Sequence, residues 1–172
     1  MKILIAILLS LLLFTQLVFA QMTLNRDTSL NFTENGIEFT SPLSGGINSG
    51  QFSNIDLDLD GIMDIIVFDK SGNKLSPFIN NNGSFIYAPK YRKNFPEIKD
   101  WILLADYNCD GKNDIFTYSS GGMSVYLNTS NSDLEFTQMT SLLLSNITNI
   151  FVSPVDIPAI TDVDYDGDLD IL

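Results

Sequence analysis

Apolar residues in this chain fall into short runs divided by polar turns, with one exception at the start. Residues 3–14 form an apolar stretch that follows Lys2 and leads to Val18, Phe19 and Ala20, a small-residue cleavage site before Gln21. This order reads as a secretory signal peptide over residues 1–20. The stretch is shorter than the roughly 20 residues of a membrane-spanning helix, so no span is expected in the mature chain, residues 21–172. Beyond it the runs shorten and are rich in Ile, Val, Phe and Tyr, the composition of β-strands. Runs at 52–55, 65–68, 75–79 and 85–87 are followed by a second set at 101–105, 115–118, 123–127 and 134–137, and a third set begins at 158–160.

In each set a nine-residue polar loop joins the first run to the second, and both runs are nearly continuous in apolar residues, as strands buried on both faces are. The loops open at residues 56, 106 and 162, a spacing of 50 and then 56 residues, which is the range of propeller blades. Four short antiparallel strands per repeat make one blade. The chain is therefore expected to be all-β, with β-propeller-type blades of four antiparallel strands, incomplete at about two and a half blades. The repeats run over 48–95, 96–150 and a truncated 151–172. Asn35, Gly36, Ile37, Glu38 and Phe39 match the segment from Asn82 to Ile86 that ends the first repeat, so 35–42 is expected to be an outer strand that closes a ring. A closed propeller of 4 to 8 blades needs about 200 residues at this period, so residues 21–172 are expected to be the N-terminal part of a longer propeller.

Charge sharpens the picture of the loops. The chain has 9 Lys and Arg against 21 Asp and Glu, a formal net charge of -12, no His and one Cys. That balance argues against nucleic acid as a partner. It leaves no imidazole catalyst, no His-ligated zinc and no internal disulfide. Twelve of the 21 acids lie in the three loops. These comprise Asp56, Asp58, Asp60, Ile62 and Asp64 in the first loop, Asp106, Asn108, Asp110, Lys112 and Asp114 in the second, and Asp162, Asp164, Asp166, Asp168 and Asp170 in the third. Hard oxygen ligands at positions 1, 3, 5 and 9, a main-chain carbonyl at 7 and a turn glycine at 6 make up a calcium loop. The glycines are Gly61, Gly111 and Gly167. Complete sites are expected in the first two loops and a weaker one in the third. Solvated Asp-Gly turns are the competing reading, and the threefold repetition favours metal over it. A helix-loop-helix EF-hand does not fit, because position 12, where a bidentate Glu belongs, is Val67 or Thr117 and strands follow each loop.

These three loops with their flanking strands resemble the FG-GAP or VCBS-type repeats of integrin alpha-chain propellers and many secreted bacterial proteins. The wording around Asn108, Cys109 and Asp110, and from Ser153 to Ile160, is most similar to repeats of exported Bacteroidetes proteins. The resemblance spans residues 35–172. It implies a propeller whose loops hold calcium, in exported or cell-surface proteins used for adhesion, for recognition or as accessory modules of enzymes.

The expected function is thus an exported calcium-binding module with a structural and recognition role toward a protein or glycan ligand, and not an enzyme. The alternative is the non-catalytic propeller region of a larger secreted hydrolase or lyase, and a third reading is a lectin-like module. Paired aspartates can run glycoside hydrolysis, but catalysis needs one unique pair and not three similar sets. Cys109 at loop position 4 is expected to point away from the metal, and Trp101 to pack in the core.

Overall fold

The computed structural model describes Asp27 and residues 30–172, so the signal peptide expected over 1–20 lies outside the described residues. An exposed hairpin comes first, β1 (Thr33–Glu34) paired with β2 (Ile37–Glu38). Asn35 and Gly36 turn it at φ 52° and 79°, the two positive angles of a tight hairpin turn. Within the segment expected as a closing outer strand over 35–42, Ile37 and Glu38 pair here with Glu34 and Thr33.

Two four-stranded antiparallel sheets follow. The first has β3 (Gly50–Ile55), β4 (Asp64–Asp69), β5 (Lys74–Asn81) and β6 (Ser84–Tyr87) in sequential order. A short 3-10 helix, Pro89–Asn94, leads out of it, and Pro89 at the first helical position suits that start. The second sheet has β7 (Ile102–Ala105), β8 (Asp114–Ser119), β9 (Gly122–Asn128) and β10 (Phe136–Thr140), again in sequential order. A small hairpin, β11 (Leu144–Ser145) with β12 (Thr148–Asn149), precedes the third repeat, in which β13 (Ile160–Thr161) pairs with β14 (Asp170–Ile171). The architecture is all-β, an open arrangement of four-stranded blades. Among the described residues no helix is long and apolar enough to cross a membrane.

The two sheets belong to one unit, Asn31–Leu172, and pack face to face. Ile55, Leu57, Ile66, Phe68 and Leu75 of the first repeat meet Ile98, Ile102, Ile115 and Leu134 of the second in one buried cluster. Alternation along β8 explains its adjacent apolar pair, since Ile115 enters this cluster and Phe116 enters another on the opposite face. That second cluster holds Trp101, Met123, Val125, Leu143 and Val152, with Ile160, Leu169 and Ile171 of the third repeat packed against it. Each fully buried side chain of this size contributes about 1.5–3 kcal/mol, so apolar burial dominates the contact between blades. Polar ties add register. The Gln51 side chain accepts from the Ile102 N–H at 3.0 Å, and Asn113 Nδ2 donates to the Asn54 carbonyl at 3.0 Å.

Candidate metal centre

Each acidic loop connects the first strand of its repeat to the second, with Ile55 opposite Asp64, Ala105 opposite Asp114 and Thr161 opposite Asp170. The three loops share one backbone path. Position 4 is left-handed in all of them, Leu59 at φ 62°, Cys109 at 60° and Tyr165 at 64°, and the position-6 glycines lie at 86°, 85° and 97°. A side chain in that region costs roughly 1–2 kcal/mol, which hydrogen bonds inside the loop offset. The position-1 carboxylate accepts from the backbone: Asp56 from Asp60 and Gly61 at 3.1 and 2.9 Å, Asp106 from Asp110 and Gly111 at 3.0 and 2.7 Å. Asp162 accepts from Tyr165 and Gly167 at 2.7 and 3.1 Å. Position 5 in turn accepts from the N–H of position 7 in every loop.

Position 9 reaches farther. Asp64 is buried, accepts from Leu57 N–H at 2.8 Å within the loop, and accepts from Asn80 N–H at 2.7 Å on β5. Asp114 repeats this with Tyr107 N–H at 2.8 Å and Asn128 N–H at 2.6 Å on β9. Asp170 makes the inner bond, from Val163 N–H at 2.8 Å. Sequence reasoning missed Asn80 and Asn128. Their side chains donate to the carbonyl of position 8, Met63 at 3.0 Å and Asn113 at 3.2 Å, so each Asn clasps a loop from the third strand. The signal was there, an apolar residue followed by Asn at the end of both third strands, Ile79-Asn80 and Leu127-Asn128, but it reads equally as turn composition.

Two groups of carboxylates converge among the described residues. Asp56, Asp58 and Asp64 each bring one oxygen within 4.8 Å of the others, and Asp162, Asp164 and Asp166 do the same. In the second loop, Asn108 stands where the others have Asp58 and Asp164, and its Nδ2 donates to Asp110 Oδ2 at 3.3 Å while its Oδ1 accepts from Asp110 N–H at 3.2 Å. The amide thereby closes that loop on itself. Of the remaining expected ligands, Asp60, Asp106, Asp110 and Asp114 sit in their loops with the bonds given above. The position-7 residues Ile62, Lys112 and Asp168 are exposed, and Lys112 Nζ leaves its loop to donate to the Ser130 carbonyl at 2.7 Å.

Electrostatics show what the crowding does. Burial first, then the charges of Asp60, Asp64 and Asp56, push the Asp58 carboxyl above the ordinary carboxylate range. Burial likewise raises Asp114, against the N–H bonds from Asn128 and Tyr107. In the third loop the Asp168 N–H lowers Asp166, while a carboxyl–carboxyl hydrogen bond to Asp166 and its charge raise Asp168. An all-oxygen donor set under mutual repulsion fits a hard divalent cation, whereas softer ions that prefer thiolate or imidazole would find no His in the chain and a single Cys. Cys109 is exposed at position 4, and Trp101 is fully buried with its indole N–H toward the Ser153 carbonyl at 3.4 Å.

Comparison with known proteins agrees with the repeat. No curated protein and no solved structure is detectably similar to the chain. A family model described as FG-GAP-like repeat matches residues 56–117 and again 106–172, each match running from one acidic loop through a blade and into the next loop. Since the two matches together cover more than half of the sequence and coincide with the loop-and-sheet units seen in the fold, the chain belongs to the FG-GAP-like repeat family.

Proposed function

We propose that this chain is an exported, calcium-binding repeat module with a structural and recognition role, engaging a protein or glycan ligand in adhesion or binding rather than catalysing a reaction. The observation that carries the reading is the convergence of Asp56, Asp58 and Asp64 on one point, repeated by Asp162, Asp164 and Asp166. The first ion would be held by Asp56, Asp58, Asp60, Asp64 and the Ile62 carbonyl, and the third by Asp162, Asp164, Asp166, Asp170 and the Asp168 carbonyl. In the second loop Asn108 supplies an amide oxygen beside Asp106, Asp110, Asp114 and the Lys112 carbonyl. Calcium bound there supplies charge compensation and no reaction chemistry. The chain's own part is to orient the loops, through the N–H bonds to positions 1, 5 and 9, so that the surface beside them presents one shape to a partner. Likeness to exported VCBS-type and Bacteroidetes repeats supports the extracellular setting, where modules of this kind bind calcium at roughly 0.1–1 mM.

Calorimetric titration of the folded chain with calcium, and separately with magnesium, tests the reading. Calcium uptake in the submillimolar to millimolar range is expected, with magnesium weaker because it demands near-ideal octahedral geometry. No calcium uptake by a chain that circular dichroism shows to be folded would overturn it. A glycan-binding screen then separates a glycan ligand from a protein one.

A further inference from the structure

Five peptide bonds in the chain join Asn or Asp to Gly: Asn35–Gly36, Asp60–Gly61, Asn82–Gly83, Asp110–Gly111 and Asp166–Gly167. Such bonds carry a chemistry of their own, because a glycine nitrogen is unhindered and can attack the preceding side-chain carbonyl carbon to close a succinimide ring. At Asn the new C–N bond replaces the bond to the side-chain nitrogen, which leaves as ammonia with the proton of the glycine N–H. Water then opens the ring at one carbonyl to give Asp or at the other to give isoaspartate, so one water is consumed and one ammonia released. A glycine N–H tied up in a hydrogen bond keeps its proton and its position, and the attack is suppressed.

In four of the five bonds the fold ties up that N–H. Gly61 donates to Asp56 Oδ2 at 2.9 Å, Gly111 to Asp106 Oδ2 at 2.7 Å, and Gly167 to Asp162 Oδ2 at 3.1 Å. Gly83 donates to Asn80 Oδ1 at 2.7 Å. Among the described residues no group accepts from Gly36. We propose that Asn35 is the spontaneous deamidation site of this chain, and that Asn80 and the position-1 aspartates hold the other four bonds inert. Asn82 is an internal control for Asn35. Both are exposed, both open a two-residue hairpin turn at nearly the same angles (φ 52° then 79°, against 51° then 89°), and a Cβ added at either glycine would meet nothing within 4 Å. Two bonds separate them, the one from Gly83 N–H to Asn80 and a second from Asn82 Nδ2 to Asn81 Oδ1 at 3.2 Å, and only the first engages the attacking nitrogen. Conversion at Asn35 has a structural consequence, since isoaspartate lengthens the main chain inside the turn that sets Glu34 opposite Ile37 and Thr33 opposite Glu38. The β1–β2 ribbon then loses its register and gains a negative charge.

Incubating the full chain in mildly alkaline buffer, with peptide mapping by mass spectrometry at intervals, tests the proposal. Asn35 is expected to convert ahead of Asn82 by about tenfold, the factor that corresponds to a hydrogen bond of about 1.4 kcal/mol. Asn80→Ala should bring Asn82 up toward the rate of Asn35 and leave Asn35 unchanged. Incubation in concentrated urea, which needs no folded variant, should make the two sites converge. Equal rates at Asn35 and Asn82 in the folded chain, or a gap between them that persists in urea, would overturn the assignment.

Discussion

The first and third acidic loops share Asp at positions 1, 3, 5 and 9, the left-handed angles at positions 4 and 6 and the N–H bonds from positions 6 and 7, yet their ninth residues do different things. Asp64 is buried and joins the loop to β5 through Asn80, whereas Asp170 is half-buried and bonds only within its own loop. The second loop sides with the first, through Asp114 and Asn128. Loop shape is therefore a local property, while the pin that locks a loop to its sheet depends on a third strand that offers an N–H. A carboxylate read from sequence only as a metal ligand is also, in the two complete blades, a structural acceptor.

The largest test of this contrast is removal of the ninth carboxylate from each loop. Asp64→Ala orphans two N–H donors and should cost about 3 kcal/mol or more, since each buried unsatisfied group costs roughly 1–3 kcal/mol. Asp170→Ala, losing one exposed bond, should cost about 1 kcal/mol or less. Urea unfolding midpoints measure both, and equal losses would break the comparison.

Calcium comes next. At a hundred times its dissociation constant each proposed site would add about 2.7 kcal/mol, so Asp60→Ala should lose most of that increment at the first loop along with calcium affinity. Thermal melts with calcium and with chelator read the difference. On the structural side, Asn128→Ala keeps the backbone bond to Asp114 but loses those to the Asn113 carbonyl and from the Ser130 N–H, for about 1–2 kcal/mol.

A carboxylate outside the loops sharpens the point. Asp69, at the end of β4, is lowered from the ordinary 3.8 by the N–H bonds of Asn48 first, then Ser49 and Ser71. A depressed carboxylate stabilises the fold above its unfolded value and stops doing so as pH falls through its folded value. Stability from Asp69 should therefore be intact at neutral pH and fade below 3.8, a decline that Asp69→Asn should flatten in melts across acidic pH. The smallest effect belongs to Cys109→Ser, exposed at position 4 of its loop, which should shift neither calcium affinity nor melting temperature measurably.

Local chemistry alone made the repeat legible. Asp at alternate positions with Gly at the sixth dictates the turn, because only a left-handed fourth residue and a free-φ glycine let the carboxylates receive the loop's own N–H groups. Short β-branched runs on either side dictate strands, and their continuity marks blades buried on both faces. Pairing across distance was not legible in this way. The match of 35–39 to 82–86 marks a strand without naming its partner, and in the fold the Asn-Gly turn at Asn35 and Gly36 sets Ile37 and Glu38 beside Glu34 and Thr33. Asn80 and Asn128 look like turn residues until β5 and β9 bring them beside the loops that precede them by more than a dozen positions. Asn108 and Asp58 are interchangeable as oxygen ligands on paper, and only the folded loop shows the amide bonded to Asp110 where the carboxylate is repelled. Sequence determined the loops, the strands and their order, since each depends on neighbours along the chain. The tertiary structure decided which carboxylates converge and which serve as pins, because that depends on N–H groups delivered by strands far away in sequence.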